Sequence, residues 1–296
     1  MYVFLEDVTR LVSIAKKRKM KDRTFIIKRF EQIIEIGTTF GMNWFRGHSK
    51  VYGNLTPSIF RQEYWNNIVL SAKAEPEVYY YSEFIRKAPS ITEKLPESNN
   101  YLEWLFLMQH HGLPTRLLDW TENILIATFF TVINHVNEDG ELWTFLPWKL
   151  NEFHGFWGLP YPNNKILKFL SSEMFHSNPQ KFSEELELET EPTVPMAILP
   201  ALKHPRMTAQ QSCFTIHPKP GKGLPLQEII SENNMLTRFI IPKKLKKDFK
   251  IKLSYLGVNH STLFPDLVGL ALSIKEKNNI VAWVQPDLPD YEKFEP

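Results

Sequence analysis

The run Gln109-His110-His111-Gly112-Leu113-Pro114-Thr115-Arg116-Leu117-Leu118-Asp119-Trp120-Thr121 constrains this chain more than any other stretch. Before it, Tyr101, Leu102, Trp104, Leu105 and Met108 recur at helical spacing, and Gly112 and Pro114 stop that helix. Thr115 to Trp120 then reads as a strand. Thr121-Glu122-Asn123 can cap the apolar helix that follows, Ile124 to about Val136. A helix, a strand and a second helix must therefore form in one passage. That passage carries an amide, two imidazoles, a guanidinium and a carboxylate in an apolar frame. Such groups are costly to bury unless they bond one another or hold a ligand.

The rest of the chain supplies both kinds of element. Val3 to Ala15 predicts an N-terminal amphipathic helix within residues 1–24, and Phe25 to Ile34 a second one ending near Gly37. Asn43-Trp44-Phe45-Arg46-Gly47 reads as a strand, Pro57-Ser58 as the start of a short helix, and Glu75 to Ala88 as a helix. Glu141 to Leu146, Cys213 to His217 and Leu236 to Ile241 read as strands, Leu245 to Leu256 and the end of Ser261 to Ile274 as helical. Between them, about 147–200 is punctuated by prolines and predicts an irregular insertion with one or two short helices. Residues 25–275 form one domain on this reading, and 276–296 a C-terminal strand and tail. The fold class is α+β, a central mixed or antiparallel sheet split around a cleft and flanked by helices.

Charge and cysteine content narrow the function. The net charge of +2 is too small to act as a footprint for nucleic acid. The basic clusters at 16–19 and 243–247 read as solvated helix ends or turns. Cys213 is the single cysteine, so no internal disulfide forms, and in its apolar strand it reads as an inert buried thiol. Acids at positions 6 and 7 interrupt any signal peptide, and no apolar run is long enough to span a bilayer, so a cytoplasmic protein without membrane partners is expected.

Several chemistries lack their motifs. There is no HExxH, CxxC or DxDxDG, so no metal is expected, and nothing in the spacing of His48, His110, His111, His204 and Asp119 requires them to converge. There is no GxSxG, no P-loop and no GxGxxG. What remains is the arginine of Trp44-Phe45-Arg46-Gly47 and the polar run. Arg46 either grips a phosphate or carboxylate or pairs with a core acid, and Gly47 permits a turn or close approach of a ligand. His110 and His111 are either acid–base groups or a helix end's satisfied side chains. The helix start after Thr121 points backbone N–H groups toward Asp119-Trp120-Thr121, a place for a phosphate.

Taken together, Trp44-Phe45-Arg46-Gly47, Leu55-Thr56-Pro57-Ser58-Ile59-Phe60-Arg61 and the 109–121 run resemble the FRG domain family, as do Arg206 to Phe214 and Leu256 to Leu267. His111 stands where an aromatic is usual, Ile124 where proline is, and Ser212 where glycine is. The order of elements is more distantly similar to ADP-ribosyltransferases. That resemblance implies NAD as cofactor. Arg46 would grip its phosphate or ribose, with His110, Arg116, Asp119 and Gln210 as the other catalytic groups. Phe45, Gly47, His111, Trp120 and Thr121 would line the binding pocket, and Gln210 would lie on a late strand near the reacting ribose. The implied activity is a NAD-consuming transferase or glycohydrolase, an effector or phage-defence protein acting on a macromolecular target. Two alternatives stand beside it: a non-catalytic ligand-sensing or protein-binding module, and a phosphodiester-cleaving enzyme using His110, His111 and Asp119.

Overall fold

The computed structural model describes residues 23–61, 76–176, 178–218, 226–230 and 236–283. In chain order the strands are β1 (Thr24–Ile26), β2 (Trp44–His48), β3 (Leu117–Thr121), β4 (Gly140–Phe145), β5 (Met196–Ile198), β6 (Ser212–Ile216) and β7 (Leu236–Ile241). The helices are α1 (Glu31–Thr39), α2 (Pro76–Lys87), α3 (Tyr101–His110), α4 (Ile124–Val132), α5 (Pro147–Asn151), α6 (Lys165–Ser172), α7 (Pro179–Glu185), α8 (Pro205–Ala209), α9 (Leu226–Ile230), α10 (Lys243–Tyr255), α11 (His260–Leu263) and α12 (Leu267–Trp283). None of the described helices is long and apolar enough to cross a membrane. The architecture is α+β, as expected, and the seven strands among the described residues form one sheet of order β1-β7-β4-β2-β3-β6-β5. The β1–β7 pair is parallel and every other pair antiparallel, so the sheet is mixed.

Strand alternation divides the core. Trp44, Leu118, Trp120, Trp143, Phe145, Cys213 and Leu236 share one face and one cluster. The other face carries two clusters. Phe45, Leu142, Phe239 and Ile241 meet α1, α4 and α10 over β2, β4 and β7. Leu117, Phe214 and Ile216 meet α3 and α6 over β3 and β6. The boundary between those two clusters follows the β2–β3 seam. That seam is thin: Phe45↔Thr121 is its one register pair, against five between β2 and β4 and five between β3 and β6.

Helix α4 is the centre of the β2 side. Ile124, Ile126, Ala127, Thr128, Phe129, Thr131 and Val132 are all buried, as a helix apolar on every side requires. The Asn123 side chain caps it by accepting from the Leu125 N–H at 2.9 Å. It lies so close to the sheet that a Cβ on Gly47 would sit 1.9 Å from the Ala127 carbonyl oxygen and 2.5 Å from Thr131 Oγ1. Gly47 therefore serves the packing of helix on strand. Beyond the far end of α4, the buried Lys246 ammonium donates to the carbonyls of Ser49, Asn134 and His135, where a cation suits the helix dipole. The 243–247 cluster is thus not uniformly solvated.

Other departures from the sequence reading have local causes. Thr24-Phe25-Ile26 is a strand and not the start of a helix, because it finds an edge on β7; the helix begins only at Glu31. The insertion holds three helices and an edge strand, β5, which pairs with β6. The chain through Trp283 is helical where a strand was expected from 276. The N-terminal helix expected before Arg23 and the tail after Trp283 lie outside the described residues.

The Gly47 contact is testable. Gly47→Ala drives a methyl group into α4 backbone, and overpacking of this kind costs about 1–3 kcal/mol. Urea unfolding should show a lower midpoint at unchanged slope; an unchanged midpoint would refute the contact.

Candidate functional site

At the seam, β3 brings the Asp119 carboxylate onto the face with two clusters, and α3 brings Gln109 and His110 beside it. Residues Phe106, Gln109, His110, Asp119, Arg206, Met207, Gln210, Ser212 and Phe214 line an open cleft of about 40 Å³. That volume admits one small polar group, with anything larger lying across the mouth.

Asp119 is half-exposed, 54% at its side chain. Its Oδ2 accepts from Gln109 Nε2 at 2.8 Å, and the same Gln109 accepts from Thr115 Oγ1 at 2.7 Å. Among the described residues Oδ1 has no hydrogen-bond partner. Arg46 backs this carboxylate without lining the cleft. Its Nη1 donates to the Asp119 carbonyl at 2.6 Å and lies 3.6 Å from Oδ2, and its Nε donates to His48 Nε2 at 2.8 Å. Burial pulls the Arg46 pKa down against the opposing Asp119 charge, with Arg61 adding to the fall. Such a guanidinium stays protonated.

Arg206, near the start of α8, was absent from the residues singled out as a site. Its guanidinium lies 4.6 Å from the centre of the Phe264 ring and makes no hydrogen bond or ion pair with any described residue. Burial lowers its pKa while Asp119 and Asp266 act to raise it. Its place in the Arg206–Phe214 segment was the available signal, but nothing in the spacing tied it to Asp119.

His110 stacks on His204 with ring centres 5.0 Å apart and meets His111 edge-on at 4.8 Å. Burial first, then the neighbouring His111, His204 and Arg206, push its pKa down to about 4, so at neutral pH it is an uncharged imidazole. Gln210 is not on a strand: it is the C-cap of α8, before Ser212 opens β6. Its side-chain amide donates to the Leu263 carbonyl at 3.1 Å, and its backbone carbonyl accepts from Thr121 Oγ1 at 2.7 Å.

The structure thus gathers His110, Asp119 and Gln210 in the cleft, with Arg46 behind. It places the other expected residues elsewhere. Phe45 is core, Gly47 lies under α4, and Trp120 is buried on the opposite face with Nε1 donating to Thr215 Oγ1 at 3.2 Å. Thr121 is buried at the seam, and His111 is exposed beside Phe84. Arg116 is 1% exposed and locked between two acids: Nε donates to Glu77 Oε2 at 2.6 Å and Nη1 to Glu173 Oε1 at 2.7 Å. Burial opposes its charge, but Glu77 and Glu173 outweigh burial and raise its pKa.

Comparison with known proteins locates the motif. The FRG domain model matches residues 42–140, which include β2, the 109–121 run, α4 and the start of β4. Arg206 and Gln210 fall outside that match. No curated protein and no solved structure matches the chain.

Two stability outcomes follow. Arg116→Met leaves Glu77 and Glu173 buried without their counter-ion, an expected loss of about 3–5 kcal/mol in chemical denaturation. A loss within error of zero would contradict the buried triad. Burial, opposed by the Glu141 hydrogen bond, holds His48 at about 4, and burial with the Arg116 and Arg46 charges holds His217 at about 3. As pH falls below about 6.5, the unfolded chain takes up these protons before the folded one does. Stability is therefore full above about pH 6.5 and falls toward pH 4, by on the order of 1–3 kcal/mol per histidine. Denaturation midpoints that stay flat from pH 7 to 4.5 would show that these imidazoles are not held neutral.

Proposed function

We propose that this chain, which carries an FRG domain at residues 42–140, uses the cleft to hold a nucleotide of the NAD type through its phosphate and ribose. One observation carries this reading. A guanidinium without a partner among the described residues, Arg206, and a carboxylate oxygen without one, Asp119 Oδ1, line the same small cleft. The first suits a phosphate oxygen and the second a ribose hydroxyl. The neutral His110 ring adds a donor or acceptor at the same mouth.

The reaction this arrangement serves is loss of nicotinamide from the ribose. The bond from C1′ to the ring nitrogen breaks and leaves an oxocarbenium-like centre. The Asp119 carboxylate, held by Gln109 and Arg46, stabilises that positive charge without having to reorganise. Water or a nucleophile on a macromolecule then takes the ribosyl group. An activity of this kind fits an effector or a phage-defence enzyme.

Gln210 favours a second reading, a ligand-sensing module without turnover. A late carboxylate would activate the acceptor, whereas Gln210 is a neutral amide already engaged with Leu263.

The test is incubation of the purified protein with NAD, following nicotinamide release and the shift in melting temperature. Release supports the enzyme, and a thermal shift without release supports the sensor. The absence of both release and thermal shift would overturn the nucleotide site. Arg206→Ala should weaken NAD binding about tenfold to a hundredfold, the loss of one charge-assisted contact. Asp119→Asn should keep binding and suppress release.

A further inference from the structure

We propose that His48 and Glu141 are positioning residues for the cleft, aiming the Arg46 guanidinium that holds Asp119 in place. The inference deepens the nucleotide reading above and rests on it for the identity of the cleft's ligand.

The geometry fixes each atom's role. Glu141 sits opposite His48 across the β2–β4 ladder, and its Oε1 lies 2.9 Å from His48 Nδ1. On the other side of the ring, Nε2 lies 2.8 Å from Arg46 Nε. An arginine nitrogen can only donate, so Nε2 must be the acceptor. The ring proton is then on Nδ1 and is donated to Glu141. This is the one neutral tautomer that satisfies both neighbours, and a doubly protonated ring could not accept from Arg46. Burial keeps the ring neutral, with a pKa of about 4.

Glu141 is itself fixed. It is fully buried and accepts from the backbone N–H groups of Tyr52 and Gly53 at 3.1 and 3.2 Å, with Arg238 Nη1 at 3.6 Å. Burial would raise its pKa, but the hydrogen bond from His48 and the Tyr52 N–H outweigh burial and hold the carboxyl below its usual range. A chain of oriented groups therefore runs from the 52–53 loop through Glu141, His48 and Arg46 to the Asp119 backbone and carboxylate. Because β2 and β3 share a single register pair, this chain supplies much of what holds the seam at one width.

Two variants separate positioning from bulk packing. His48→Gln keeps an acceptor for Arg46 Nε, whereas His48→Leu keeps volume and removes it. Nitrogen-15 NMR of the histidine-labelled protein should show His48 as the Nδ1–H tautomer; the Nε2–H tautomer would overturn the proposal. The carbon-13 shift of the Asp119 carboxyl should move in His48→Leu and return toward wild type in His48→Gln. An unmoved shift in both, or equal displacement in both, would overturn it. With NAD as the probe, His48→Leu should bind about tenfold more weakly and His48→Gln within about threefold of wild type, and equal affinity of all three would count against the positioning role. If NAD fails to bind the wild type, the nucleotide reading falls, and the two ligand-free measurements still decide the role of His48.

Discussion

The reach of Arg46 into the β2–β3 seam is the constraint on which the rest depends. A sheet whose two central strands share one pair exposes backbone acceptors that a full ladder would satisfy, and buried acceptors must find donors. The Arg46 guanidinium meets the Asp119 carbonyl at 2.6 Å, so an ion takes over a bond that the ladder has given up. Because that ion is largely desolvated, its own remaining donors need partners, which is what His48 and the Asp119 carboxylate provide. The cleft follows: with the ladder interrupted, the two clusters on one face do not merge, and a hollow remains between Phe106 and Phe214 on one side and the Phe264-backed Arg206 on the other.

The two buried arginines have opposite meanings. Arg116 and Asp119 lie three residues apart in the same polar run, yet Arg116 precedes β3 and is enclosed by α2 and the turn after α6, while Asp119 faces the cleft. Arg116 joins Glu77 and Glu173, residues 39 and 57 positions away. It is a tie between elements distant in sequence, with no opening beside it. Arg46 has one edge on the framework and one on a half-exposed carboxylate. Burial alone does not separate these roles; what separates them is whether the partner reaches solvent.

Much of the fold was legible because it is written locally. The period of α3 and α4, the Asn123 cap and the strand-like runs of β2, β3, β6 and β7 lie near their observed positions. The edge strands were not legible: β1 and β5 have three residues each and owe their state to a neighbour's edge. The site was legible in part. Asp119 and His110 stood out because polar density in an apolar frame needs a reason. That same density made Arg116, His111 and Trp120 look like site residues, since sequence proximity does not show which face a side chain takes. Arg206 was missed for the converse reason: it arrives 87 residues after Asp119, and only the fold sets it beside that carboxylate. Glu141 and His48 were hidden by register, because a partner across a ladder is invisible until strand pairing is known.

The tripeptide Phe45-Arg46-Gly47 then acquires a physical reading. The phenylalanine fills the cluster under α4, the glycine admits the α4 backbone, and the arginine closes the seam. On a strand, the first and third residues of a triplet point to one face and the second to the other. Phe45 and Gly47 accordingly serve the helix on one face, while Arg46 starts from the other and acts through the seam. None of the three lines the cleft, so each bears on it only through the groups it holds in place. A substitution in the tripeptide would thus disturb the cleft through the width of the seam and the approach of α4, whereas one at Arg206 or Asp119 would change the cleft's own charge with the sheet intact.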